Sequence, residues 1–202
     1  MELGGYKIGP ALTTRPGCDV INETARAYSN KPLIYDGQKL WTDIPETAKP
    51  ILTSLRDSGI DTVILFPLSG PKTQEFWIKT AQDLGLGVLV GGEMPHPKFK
   101  VSEGGYIVDS AIEDIYFNAA DFGVTDFVVP GNRIDSIERI KRIVDSSVKG
   151  ELVFYAPGFI VQGGEITEAR KAIRERFHPI VGRGIYEAEN MEQAALDLTR
   201  NI

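Results

Sequence analysis

Short β-branched apolar runs alternate with stretches of helical spacing from one end of the chain to the other. YKIG, PLIYDGQ, TVILFPL, GVLVGGEM, DFVVPG, ELVFYAPG and HPIVGRG read as strands, each bounded by glycine, proline or polar residues. Between them, Ile44, Ala48, Ile51, Leu52 and Leu55 recur at the spacing of one helix face, and Ile137, Ile140, Ile143 and Val144 form another. Asn190 followed by Gln193, with Ala194, Ala195 and Leu198 behind, has the pattern of a helix start. Strand–helix alternation predicts an α/β fold with parallel strands joined by right-handed crossovers, of the (β/α)8 TIM-barrel type. The seven strand runs fall one short of a closed barrel, and only MELGG precedes the first. Either the opening βα unit is absent from the chain or another segment substitutes for it. No low-complexity linker interrupts residues 1–202, which are expected to form a single domain.

Composition narrows the partners. A net charge of −6 over 202 residues, with no basic run and no basic-aromatic interleaving, argues against nucleic acid. Cys18 is the only cysteine, which excludes an intrachain disulfide and a cysteine-based metal cluster and fits a cytoplasmic setting. No apolar run approaches a membrane span, and the amino terminus lacks the basic and apolar regions of a signal peptide, so no membrane partner is expected.

Candidate chemistry concentrates in three places. APGFIVQGGE, from Ala156 to Glu165, and PIVGRGIYEAEN, from Pro179 to Asn190, are consecutive strand runs ending in glycines and one polar side chain. Gly163, Gly164, Gly182 and Gly184 allow backbone amides to approach an anion, Arg183 offers a charged fork and Gln162 a neutral donor, as a phosphate-binding rim requires. Glycines after strands are also ordinary turn residues, and the consecutive placement of the two blocks is what favours the functional reading. In the second place, PLIYDGQKLWTDIPETAKP, a strand delivers Asp36 and Lys39 to its carboxyl end, and Asp43 opens the following helix. Carboxylates close to an ammonium hold it charged and aimed, a proton-donor arrangement that Lys7 on the first strand would extend. The plainer alternatives are a helix start at Asp43 and Glu46 and a turn at Asp36-Gly37. The third place is the irregular stretch from Pro95 to Asp109, a candidate active-site loop. His96 and His178 lack a second histidine at ligand spacing, and Trp41 and Trp77 read as packing residues.

YKIGPAL, YDGQKLWTDIPET, GGEMPHP, FVVPGNR, YAPGFIVQGGE and PIVGRGIYEAEN, in this order, resemble the orotidine 5'-monophosphate decarboxylase family, within the wider group that includes hexulose-phosphate synthase. The resemblance runs from Tyr6 to about Leu198 and implies a cofactor-free, metal-free barrel homodimer that decarboxylates orotidine monophosphate (OMP) to UMP. It makes Lys39 the proton donor to the ring carbon and sets Asp36 against the substrate carboxylate. Lys7 completes the charge network, and Asp43, with Ile44 and Thr47, serves the partner subunit's site. Pro157, Gln162, Gly163, Gly182 and Arg183 correspond to substrate-binding positions, with Gln162, Gly182 and Arg183 gripping phosphate. The family motif Asp-x-Lys-x-x-Asp is widened here by one residue in each gap, which a bulge would absorb, and Pro95 stands where the family commonly has a base-reading serine. A Mg2+-dependent hexulose-phosphate synthase or keto-gulonate-phosphate decarboxylase is one alternative, although a lysine at position 7 repels a divalent cation. A non-catalytic protein that binds a phosphorylated ligand is another.

Overall fold

The computed structural model describes residues 3–38, 40, 43–159, 166–174 and 176–199. All seven expected strands are present: β1 Tyr6–Ile8, β2 Leu33–Asp36, β3 Thr62–Leu65, β4 Gly87–Gly91, β5 Asp126–Val128, β6 Val153–Pro157 and β7 Arg176–Ile180. Several are shorter than the apolar runs that announced them. β4 stops at Gly91, so Glu93 and Met94 lie in the loop beyond it, and β7 pairs from the exposed Arg176 onward and ends before Gly182. His178 is therefore a mid-strand residue rather than a strand start. The helices are α1 Pro10–Thr13, α2 Cys18–Tyr28, α3 Ala48–Asp57, α4 Pro71–Asp83, α5 Asp109–Asp121, α6 Ile134–Asp145, α7 Ile166–Ala172, α8 Arg183–Tyr186 and α9 Met191–Thr199.

Contacts divide the chain into two compact units, Glu2–Gly91 with Asn118–Val124, and Gly92–Phe117 with Thr125–Ile202. In the first, β1, β2, β3 and β4 pair in that order, all parallel, with Lys7 opposite Ile34 and Asp36 opposite Ile64. One pleat face carries Leu33, Tyr35, Val63 and Leu65, all buried. α3 covers its core with Ala48, Leu52 and Leu55, and α4 with Trp77, Ile78 and Ala81. The predicted face starts one turn late: Ile44 is exposed and Pro45–Thr47 forms a 3-10 turn ahead of α3. Trp77 is a packing residue as expected, fully buried, a position worth roughly 3 kcal/mol or more of apolar burial for so large a side chain. Trp41 lies outside the described residues.

In the second unit β5, β6 and β7 are parallel neighbours, and their register lines up Phe127, Phe154 and Phe177 in one buried row. Ile137, Ile140 and Val144 of α6 are fully buried at the predicted spacing. Tyr116 packs its ring 6.1 Å from Phe127 and donates its hydroxyl to the Val128 carbonyl. The Asn190 side chain accepts from the Gln193 amide at 2.9 Å, the cap that the sequence pattern implied for α9. Both units repeat the strand–helix motif from which (β/α) barrels are built. No helix among the described residues is long and apolar enough to cross a membrane.

Candidate active site

In the first unit the strand ends create a charge pair. Lys7 sits in the middle of β1 and Asp36 ends β2. The register puts them two residues apart along the sheet, and a pleat of period two turns both side chains to the same face. The Lys7 ammonium lies 2.6 Å from the Asp36 carboxylate, with the side chains 32% and 14% exposed respectively. The pair is thus close enough for a charge-assisted hydrogen bond and open enough to exchange partners. Lys39 lies outside the described residues.

Asp43 does not open the helix, contrary to the sequence expectation. Ile44 occupies the position before the 3-10 turn, and the Asp43 carboxylate instead accepts the Ile44 amide at 2.8 Å. Pro45 is the cause: with no amide hydrogen and a fixed φ, it sets the first residue of the turn two places after Asp43. The Thr47 hydroxyl donates to the Ile44 carbonyl at 2.8 Å, which closes Ile44 to Thr47 into one compact feature. Both Asp43 and Ile44 are exposed beside it.

In the second unit, β6 ends at Pro157, whose carbonyl accepts the Gly131 amide at 2.8 Å. Gly158 follows at φ +108°, a backbone region that side chains resist, and this turn leads to Phe159 and on toward the glycine-rich segment. Gln162, Gly163 and Gly164 of that segment lie outside the described residues. At the neighbouring strand end the expected run through Gly184 is corrected: β7 closes at Ile180 and Arg183 is the first residue of the short helix α8, exposed, with Gly182 before it. Pro157 and the Gly182-Arg183 pair therefore follow the carboxyl ends of adjacent strands, the side on which (β/α) barrels carry their sites.

A cluster that the sequence reading missed ties the Pro95 to Asp109 stretch to Glu93 and to the start of α6. The Glu93 carboxylate, with no side-chain exposure, accepts from Lys100 at 2.8 Å, Ser136 at 3.1 Å and Arg139 at 2.9 Å, with Arg133 at 3.4 Å. Arg133 also pairs with Glu103 at 2.5 Å and donates to the His96 carbonyl at 2.9 Å. The Arg133 guanidinium, helped by Lys100, holds the Glu103 carboxyl down at about 2. The loop is thus built around ion pairs and a 3-10 turn, Val101–Glu103. Gly105 packs so closely that a Cβ there would fall 2.3 Å from the carbonyl oxygens of Lys98 and Phe99. The sequence offers only a carboxylate just beyond an apolar strand and Arg133, Ser136 and Arg139 at three-residue spacing, neither of which marks Glu93 as sealed.

On the other pleat face of β5 to β7, Tyr155 donates to Asp126 at 3.1 Å and stacks on His178, ring centroids 5.0 Å apart. Burial pushes the His178 imidazole below its usual value, an effect strengthened by Arg176 and opposed by Asp126. Among the described residues no group of three or more histidine, cysteine, aspartate and glutamate side chains is arranged to hold a metal ion.

A family model described as "Orotidine 5'-phosphate decarboxylase / HUMPS family" matches residues 2–198. The orotidine 5'-phosphate decarboxylase of Methanosarcina mazei is 31% identical over 99% of this chain and 84% of its own length. That of Pyrococcus furiosus is 31% identical over 97% and 84%. Among solved structures, the Methanocaldococcus jannaschii orotidine 5'-monophosphate decarboxylase complexed with the inhibitor BMP has a TM-score of 0.82 at 25% identity, covering 96% of this chain and 84% of that one. The Pyrococcus horikoshii enzyme reaches 0.77 at 26% identity, covering 97% and 85%. The parallel strand–helix repeats and these likenesses assign the chain to the (β/α)8 barrel class, with seven strands among the described residues.

Proposed function

Because the chain belongs to the orotidine 5'-phosphate decarboxylase / HUMPS family, we propose that it is itself an orotidine 5'-phosphate decarboxylase, converting OMP to UMP without metal or organic cofactor in pyrimidine biosynthesis. The observation that carries the reading is the likeness in sequence and fold to such enzymes over nearly the whole chain, one of them crystallised with a bound inhibitor. The Lys7–Asp36 pair gives it chemical support.

Loss of CO2 leaves negative charge on a ring carbon. An ammonium fixed in advance by carboxylates stabilises that charge as it develops and then donates a proton to the same carbon. In the proposed mechanism Lys39 is that ammonium, Asp36 lies against the substrate carboxylate, and Lys7 neutralises Asp36 between turnovers. Gln162, Gly163, Gly182 and Arg183 hold the phosphate beside Pro157, binding energy remote from the reaction that secures the carboxylate near Asp36. The compact Asp43, Ile44 and Thr47 feature reaches the partner's site in a two-fold homodimer, for which the exposure of Ile44 is the physical support. On this reading residues 1–202 act as one catalytic domain in the cytoplasm.

OMP turnover, measured with and without EDTA, is the test. Turnover that survives EDTA is the expected result. Dependence on a divalent cation would move the chain toward the hexulose-phosphate synthase side of the family, and UMP binding without turnover would make it a non-catalytic binder.

A further inference from the structure

We propose that a cavity at the start of α6 binds the phosphate group of a small molecule, at a site built from other residues than the Gln162, Gly182 and Arg183 rim. The cavity measures about 610 Å3, the size of a small-metabolite site, and its whole wall belongs to one compact unit. Four cations stand in that wall: Lys100 from the loop beyond β4, Arg133 from the entrance to α6, and Arg139 and Arg142 from the helix itself. None of them takes part in the decarboxylation chemistry proposed above, so the site stands whether or not that reading holds.

The wall holds more positive charge and more donors than its own carboxylates use. Glu93 is shared by Lys100, Arg133 and Arg139, and Glu103 by Lys100 and Arg133. Arg139 keeps its Nε buried and without a hydrogen-bond acceptor among the described residues, the Glu113 carboxylate coming only to 4.0 Å. Arg142 makes no ion pair among the described residues; its Nε donates to the Glu138 carbonyl at 3.3 Å, and neither terminal nitrogen is hydrogen-bonded. A buried donor left unmet is costly, and an incoming oxyanion removes the cost. Sealed Glu93 also fixes Ser136 and Arg139 in advance, so a ligand has less to order on arrival. The helix start adds to the array: no side chain caps it, and the amides of Ile134, Asp135 and Ser136 precede the first helical bond, from Ile137 to the Arg133 carbonyl. Such an end by itself is ordinarily met by water; here it opens onto three arginines and a lysine. A phosphate suits this set better than a carboxylate, because its three outer oxygens can accept from two guanidinium forks and from backbone amides at once. Asp135, exposed and without an ion pair among the described residues, is the one opposing charge in the wall.

The test titrates inorganic phosphate and glycerol 3-phosphate into Arg183→Ala protein, in which phosphate binding at the rim is weakened, with potassium chloride at matched ionic strength as the control. The expected result is a saturable shift in the NMR amide resonances of Ile134 to Ile137 that chloride does not reproduce. Adding Arg142→Gln should weaken this binding about tenfold, the scale of one charge-assisted hydrogen bond, and Asp135→Asn should strengthen it about threefold. Tighter binding of glycerol 3-phosphate identifies an organic phosphate as the ligand, and equal or weaker binding identifies free phosphate; both support the site. Arg142 is exposed, so its variant should fold, which the remaining resonances verify. Arg139→Gln, which also loses a bond to Glu93, should weaken binding at least as much. Shifts that chloride reproduces, or that are unchanged in Arg142→Gln and Arg139→Gln, would overturn the proposal. In otherwise wild-type protein, Arg142→Gln should leave UMP binding unchanged within about twofold, as expected for independent sites. A parallel loss of UMP would make the cavity part of the nucleotide site and overturn its separateness, whereas phosphate binding in a protein that turns over no OMP would sink the decarboxylase reading alone.

Discussion

Each unit carries a charge cluster, Lys7 with Asp36 on β1 and β2 and Glu93 with its partners beyond β4, and water reaches the two very differently. Lys7 and Asp36 form a single pair with a third of the lysine exposed, whereas Glu93 is sealed and shared among Lys100, Arg133, Ser136 and Arg139. A pair with one partly solvated member gains little stability from its Coulomb energy, because water screens it and competes for the exposed partner. A sealed carboxylate has no alternative to its partners, so each of them becomes structural. The exposed pair can therefore be spared for chemistry, while the sealed one is committed to shape.

Removing the sealed charge should produce the largest effect. Glu93→Ala leaves cations from the loop and α6 without their shared acceptor, which costs about 3–5 kcal/mol in systems of this kind. Urea unfolding would register it as a drop in midpoint at unchanged slope. Asp36→Asn, by contrast, should shift stability by no more than about 1 kcal/mol while lowering kcat. Equal destabilisation by the two substitutions would erase the distinction drawn here.

On the chemical side, Lys39→Ala is expected to remove about a hundredfold or more of kcat, the usual scale for a lost general acid, with UMP binding largely intact. Near-native turnover would show that the widened Asp36, Lys39, Asp43 spacing had been misassigned. Arg183→Ala should instead raise KM and weaken UMP by roughly tenfold, because a phosphate contact present in ground and transition states alike contributes uniform binding. Competition between UMP and inorganic phosphate would separate the two cases.

The strands were legible in the sequence because each is a compact β-branched run between breakers, and α3, α6 and α9 because their faces or caps are local patterns. The Lys7–Asp36 pair was also accessible, since parallel pairing of two short neighbouring strands, one carrying Lys7 and the other ending in Asp36, leaves little freedom. The Glu93 cluster was not. Glu93 and Arg139 are 46 residues apart, and only the packing of α6 against the loop makes them partners. An acidic residue after an apolar strand is ordinarily solvated, and nothing local marks this one as sealed. Asp43 failed for a local reason, since Pro45 displaced the helix start. Lys39, the proposed proton donor, and Gln162 and Gly163, the proposed rim residues, lie outside the described residues, so their roles rest on motif resemblance and are tested by the substitutions above.

The smallest expected effect is a two-step loss of stability with acid, and it sharpens the comparison because both steps belong to the second unit. His178 has its proton affinity lowered in the folded protein by burial, so the unfolded chain takes up the proton first as pH falls below about 6.5. Its contribution is fully present above that value and declines across the interval beneath it. Glu103 is depressed from 4.5 to about 2 by Arg133, so its contribution is fully present above pH 4.5 and is lost as pH falls toward 2. Thermal unfolding at a series of pH values should show both slopes with the same sign. His178→Phe, which keeps a ring against Tyr155, should flatten only the upper one, and Glu103→Gln only the lower. Exchange protection in the Pro95 to Asp109 loop should follow the lower slope alone, since Glu103 is tied to that loop through Lys100 and Arg133 while His178 stacks on β6. A loop that loosened already across the upper interval would mean that the buried network answers to His178, and the separation between the two groups would be wrong.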